Sequence, residues 1–168
     1  ASGALASAAL SAQAPGGGNG TIYYGTYDKK VLVIDEATMQ VRDSMPVAIG
    51  IPIGLTLSTD RSKLYAIDAA FEKVETFDVA SRKSLGSWTL SEGRSHVRMR
   101  GFNVDPKDRF AILMVKTATR RADRWEVGKN TLLKYDLARK VVTDTIPWPD
   151  GKEREFAQIL FSPDGANM

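Results

Sequence analysis

Four alternating side chains, Arg94, His96, Arg98 and Arg100, are followed by a second basic cluster, Lys116, Arg120, Arg121, Arg124 and Lys129, with Trp125 inside it. Only Glu92, Asp123 and Glu126 oppose them in the same stretches. A basic face that carries a tryptophan suits the docking of an acidic partner, and the cluster is a candidate subunit interface. Alternating arginines also suit a phosphate backbone. No recognised nucleic-acid module accompanies them, and the start of the chain looks exported, so nucleic acid is not the expected partner. Plain solvation is the remaining reading, since long loops take up charge freely.

Other chemistries are scarce. The chain has no cysteine, which removes disulfides, thiolate sites and cysteine nucleophiles, and its single histidine, His96, argues against a serine–histidine triad and a multi-histidine zinc site. Glu153 and Glu155 flank Arg154, and paired carboxylates can perform acid–base catalysis, but in Asp150-Gly151-Lys152-Glu153-Arg154-Glu155 they read as a solvated charged turn. No catalytic, cofactor-binding or metal-ligating residue is assigned to the chain.

The 168 residues, 43% hydrophobic and 26% charged, have an ordinary globular composition with material for one core. A formal charge of +3 suits an acidic partner as well as nucleic acid and decides neither. Ala1 to Ala14 is uncharged and ends Ala12-Gln13-Ala14, the pattern of a late apolar region and A-x-A cleavage site. Residues 1–14 are read as the remnant of a secretory signal, and 15–20 as a Gly-rich leader; an Ala/Ser-rich tail is the alternative. No run approaches the ~18 apolar residues of a transmembrane helix, so no membrane span is expected and the location is periplasmic or secreted.

The elements that position the basic residues are short strands. Thr21–Tyr24 and Val31–Asp35 form a hairpin, and Val41–Val47 follows as a fourth, outer strand. Leu55–Ser58, Lys63–Ile67 and Lys73–Asp78 repeat the pattern, then Phe102–Val104, Phe110–Val115 and Thr131–Asp136. Each third strand runs into a turn led by Asp35, Asp78 or Asp136, whose carboxylate can bond backbone amides two or three residues on. No helical period competes over a long window.

Asp35 and Asp78 stand 43 residues apart, which matches the ~40–45 of a four-stranded propeller blade. Asp78 and Asp136 stand 58 apart. With the inner turns at Thr59 and Pro106 as markers, 11 of the 15 extra residues fall between strands two and three and four in the connection into that blade. The fold class is therefore all-β: a β-propeller of four-stranded antiparallel blades. Residues 21–168 form a partial propeller, with blades at about 21–50, 51–95 and 96–150 and the start of another at 156–168.

In a propeller, the loop between strands two and three opens on the same face as the connection between blades, so both elaborations land on one basic face. Arg94, His96, Arg98, Arg100, Arg120, Arg121, Arg124 and Trp125 are the candidate interface residues on it. Trp88 and Trp148, on outer strands, are expected to be structural.

Phe161-Ser162-Pro163-Asp164-Gly165, Lys63-Leu64-Tyr65-Ala66-Ile67 and Val31-Leu32-Val33-Ile34-Asp35 resemble the YVTN-type propeller repeat. More specific is an order of elements: Lys30 to Asp35, Thr89-Leu90-Ser91 followed by Val97-Arg98, and Arg124-Trp125-Glu126-Val127 before Leu133-Lys134-Tyr135-Asp136. It resembles the propeller (beta) subunit of the quinohaemoprotein amine dehydrogenases, over most of the chain after the leader and over the first half of a subunit of about seven blades. Val104-Asp105-Pro106-Lys107-Asp108 and Ser58-Thr59-Asp60-Arg61 depart from the family's fuller Ser-Pro-Asp-Gly turn.

The resemblance implies a non-catalytic subunit of a periplasmic enzyme that oxidatively deaminates primary amines. It would dock a small quinone-bearing subunit and help wall the active-site cavity. The tryptophan-derived quinone and haem c are expected on partners, the small subunit and a di-haem cytochrome subunit, and none on this chain. The alternative is a secreted YVTN scaffold that binds an envelope component without enzymatic activity.

Three blades and one strand cannot close a ring of at least about four blades, so the sequence is read as a piece of a longer protein. Expressed alone, residues 1–168 should aggregate or stay partly disordered, because an open arc leaves sheet faces and edges wet. Clean, monomeric, cooperative unfolding in a denaturant titration would contradict this.

Overall fold

The computed structural model describes residues 18–168; the signal-like run 1–14 and the first part of the leader lie outside the described residues. Among the described residues, eleven strands form three antiparallel sheets in chain order. The first contains β1 (Thr21–Gly25), β2 (Lys30–Asp35) and β3 (Gln40–Pro46). The second contains β4 (Pro52–Leu57), β5 (Lys63–Asp68), β6 (Lys73–Asp78) and β7 (Ser84–Thr89). The third contains β8 (Ser95–Val104), β9 (Phe110–Arg120), β10 (Trp125–Asp136) and β11 (Val141–Ile146). A single 3-10 turn, Pro149–Gly151, follows.

The aspartate turns are three copies of one structure. Asp35 Oδ1 accepts the Thr38 amide at 2.8 Å, Asp78 Oδ1 the Ser81 amide at 2.6 Å, and Asp136 Oδ1 the Arg139 amide at 2.7 Å. The next residue in each, Met39, Arg82 or Lys140, has φ of 54°, 59° or 57°. A side-chain-bearing residue in this left-handed region is strained, and the carboxylate clamp offsets the strain. Aligned on these turns, β2, β6 and β10 are equivalent, and so are β3, β7 and β11. The first sheet therefore keeps its outer strand, and no counterpart of the inner strands β4 and β8 pairs with β1 among the described residues.

The sheets stack face to face. In β5, Leu64 and Ala66 join Val31, Val33, Met45 and Phe77 in one core, while Tyr65 and Ile67 point the other way. There they meet Val74, Met99, Phe102, Leu113, Val115 and Tyr135. Alternation along one strand thus glues three sheets together, with each fully buried large side chain contributing about 1.5–3 kcal/mol. Trp88 stacks on Tyr135 with ring centroids 4.1 Å apart, and burial pushes the Tyr135 phenol up to about 12. Glu75, buried, accepts the Ala48 and Ile49 amides at 2.7 and 3.3 Å and the Ser84 hydroxyl at 2.6 Å, tying the first inter-sheet connection to the second sheet.

Three expectations change. Trp148 lies beyond β11, and its Nε1 donates to the Asn130 carbonyl at 2.9 Å. Glu153 is not merely solvated: its Oε1 accepts the Asn130 amide at 2.6 Å, where the ladder of β9 and β10 shifts register. Residues 156–168 form the anticipated turn, with the Gly165 amide bonded to the Ser162 carbonyl at 2.8 Å, and Phe161 packs edge-on to Phe110 at 5.9 Å. They are not in a strand.

The turn carboxylates set the acid limit of the fold. Bonds from the Thr38 and Ser81 side chains hold Asp35 and Asp78 below the usual carboxylate range. The Arg139 amide does so for Asp136, the Arg109 side chain for Asp105, and the Ser58 hydroxyl lowers Asp60 to about 2. Depressed folded values mean stability that is fully present above the unfolded value near ~3.9 and lost as pH falls through the folded values. The thermal midpoint of the intact protein should be level above about pH 5 and fall steadily from about pH 4 to about pH 2. A midpoint that stays level to the acid end of that range would contradict the clamp.

Candidate binding site

The basic cluster is built on strands, not on loose loops. β8 begins at Ser95, so His96, Arg98 and Arg100 are strand residues, and the insertion after Val115 continues β9 to Arg120 and begins β10 at Trp125. Register places Arg98 opposite Lys116, His96 opposite Ala118, Ala118 opposite Val127 and Arg120 opposite Trp125. With a side-chain period of two, these residues share one face of the extension. The tip is closed by the Arg121 amide bonded to the Arg124 carbonyl at 2.8 Å, and just below it the Arg120 amide bonds the Arg94 carbonyl at 2.9 Å, tying the tip end of the hairpin to the segment that leads into β8.

Trp125, 49% exposed, packs against the His96 ring edge-on at 5.5 Å, with the Arg120 guanidinium 5.9 Å from its centroid. His96 Nδ1 faces the two carboxylate oxygens of Glu72 at 3.1 and 3.0 Å. A carboxylate accepts only, so Nδ1 carries the proton. Glu72 is held in place by its own turn: Asp68 Oδ1 accepts the Glu72 and Lys73 amides, each at 2.8 Å. The preceding Phe71, with φ of 61°, lends its carbonyl to the Met99 amide at 2.7 Å. Ser91 Oγ donates to Glu72 at 3.0 Å and accepts the Val97 amide at 2.9 Å, joining the second sheet to β8.

These groups border a cavity of about 710 Å³. His96, Arg98, Arg100 and Trp125 line it; Lys116 and Val127 add to the same wall, and Phe71, Glu72 and Phe156 close it from neighbouring segments. Arg94, Arg120, Arg121 and Arg124 do not line it. Arg121 pairs with Glu126 at 2.6 Å and Arg124 with Asp123 at 3.2 Å, both exposed at the hairpin tip. Counting the insertion locates the hairpin, but Phe71 and Glu72 sit on the short loop of the preceding blade and escape that method. The rule that such loops share a face was the signal able to find them. Among the described residues no group of three or more His, Cys, Asp or Glu could hold a metal ion, and no helix is long and apolar enough to cross a membrane.

No protein-family model matches the chain, and no curated protein matches it in sequence. Solved structures do match in fold. The chain is similar to Kuenenia stuttgartiensis hydrazine synthase at 15% identity and TM-score 0.53, over 74% of this chain and 33% of that one. It is similar to dihydro-haem d1 dehydrogenase NirN, solved in complex with DHE, at 15% identity and TM-score 0.53, over 81% and 26%. The Myceliophteria thermophila Cps50 (Swd1) β-propeller domain matches at 13% identity and TM-score 0.58, over 77% and 40%. The fold is therefore that of a β-propeller. The chain spans between 26% and 40% of the length of these neighbours.

Ser91 is the test of how the site is assembled. Ser91→Ala removes a donor from Glu72 and an acceptor from the Val97 amide, and should destabilise the intact protein by about 1–2 kcal/mol in denaturant titration. A change near zero would show that β8 is seated without this link.

Proposed function

We propose that the chain belongs to the non-catalytic propeller subunit of a periplasmic amine dehydrogenase. The observation that carries the reading is the projecting hairpin, which presents Trp125 and the flanking arginines as one strand-supported surface beyond the body of the blade. The Arg124-Trp125-Glu126-Val127 segment, on which the family resemblance chiefly rests, forms the tip and first residues of β10. A half-exposed tryptophan with an arginine guanidinium over its ring is the composition of an interface anchor. Its docking partner on this reading is the small quinone-bearing subunit, and a di-haem cytochrome subunit completes the complex.

The chain's own tryptophans support a positioning role for this subunit. Trp88 is stacked on Tyr135, Trp148 is bonded to the Asn130 carbonyl, and Trp125 is packed on His96. The tryptophan-derived quinone and haem c on the partners supply the oxidation of the amine and the onward transfer of electrons. This subunit orients the small subunit and excludes water from the cavity between them.

The test is to express the full-length gene with its neighbours, purify the assembly, and measure amine-dependent dye reduction together with haem absorbance. An active, haem-containing complex is expected. A haem-free, inactive single chain would overturn the reading in favour of a secreted scaffold. Within the complex, Arg121→Glu with Arg124→Glu should slow association several-fold at low salt, because charges on an interface rim act chiefly on the on-rate. An unchanged rate would remove the hairpin tip from the interface.

A further inference from the structure

We propose that the cavity along the face of the hairpin binds a small organic acid, a carboxylate carried on a flat apolar body. The site shares Trp125 with the proposed docking surface but not Arg121 or Arg124 at the tip, and ligand binding here does not rest on the docking of a partner subunit.

Charge is the first argument. Arg98 on β8 stands directly opposite Lys116 on β9. Like charges in direct cross-strand register repel, and an anion between them turns the repulsion into attraction. Arg98 and Arg100 have no carboxylate within ion-pair distance among the described residues, and Lys116 has only the exposed Glu155, at 3.4 Å. Glu72, the acidic group in the wall, is occupied by His96 and Ser91. The cavity thus offers guanidinium donors in surplus, and a carboxylate is the ligand whose two oxygens match their paired geometry.

The rest of the wall excludes a bare inorganic anion as the best fit. Trp125, Val127, Phe71 and Phe156 are 49%, 59%, 42% and 81% exposed and converge on the same hollow. Arg100 lies 5.8 Å from the Phe156 centroid, so cation and ring are already paired. A volume of about 710 Å³ falls within the roughly 300–1,000 Å³ of small-molecule sites. Burying an aromatic or alkyl body against these faces while the acid meets Arg98 and Lys116 satisfies both halves of the wall. A neutral ligand leaves the cations unmatched, and an amine adds to the repulsion.

The probe is phenylpropionate, titrated calorimetrically into the intact, partner-free protein, with phenylpropionamide and acetate as comparators. Saturable binding of phenylpropionate is expected, with the amide and acetate each at least about tenfold weaker. Arg98→Gln should weaken phenylpropionate at least about tenfold and Trp125→Leu several-fold, whereas Arg121→Gln at the tip should leave it unchanged. The ligand should also raise the thermal midpoint of the wild-type protein and not that of Arg98→Gln, whose own midpoint shows that it folds. Absence of saturation, equal binding of the amide, or wild-type affinity in Arg98→Gln would overturn the proposal. Because no partner is present, any of these results leaves the subunit reading standing, and a failed assembly assay leaves this one standing.

Discussion

Two-sided burial of the middle strands is the constraint on which everything else in this chain depends. From Leu64 to Asp68 every residue of β5 is buried, with alternate side chains serving the sheet before and the sheet after. Ala111 to Val115 in β9 is buried in the same way, and its Leu113 and Val115 face the second sheet. A strand committed on both faces cannot slip by one residue without exchanging its two cores, so register is fixed through the whole stack. The hairpin inherits that register. Because β9 and β10 leave the body already paired, their continuation to Arg120 and from Trp125 is held as a sheet without a core of its own.

The connections between sheets use polar rather than apolar chemistry. Glu75 clamps the chain between the first and second sheets, and Ser91 with Glu72 clamps it between the second and third. Asp108, at the inner turn of the third sheet, accepts from both Lys63 and Tyr65 of the second, and burial with that carboxylate pushes the Tyr65 phenol up. Buried or half-buried carboxylates are costly unless every oxygen is occupied, and here each is. The same device that joins the sheets places Glu72 beside His96, so the candidate site is a by-product of how the blades are joined.

Much of this was readable in the sequence, for identifiable reasons. The repeat announced itself through Asp35, Asp78 and Asp136, because an aspartate turn is local chemistry that needs no knowledge of tertiary contacts. Counting residues between these markers located the insertion and hence the hairpin. What counting does not supply is which residues meet across blades. The pairing of His96 with Glu72 and Trp125 depends on twist and register beyond the local sequence, and it separates His96, Arg98 and Arg100 in the cavity from Arg121 and Arg124 at the tip. Glu153 looked like a solvated charge, since nothing nearby in sequence reveals that Asn130 leaves its amide free at a register shift. That no inner strand pairs with β1 among the described residues was equally hidden, because turn spacing marks outer strands.

The central claim is that the hairpin is a binding device added to a propeller body, and not part of what holds that body together. The direct measurement is the affinity of the proposed small partner subunit for a full-length protein in which residues 118–127 are replaced by a tight Asn-Gly turn, alongside its thermal midpoint. The account predicts a nearly unchanged midpoint with loss of most of the affinity. Unchanged affinity, or collapse of the fold, would contradict it.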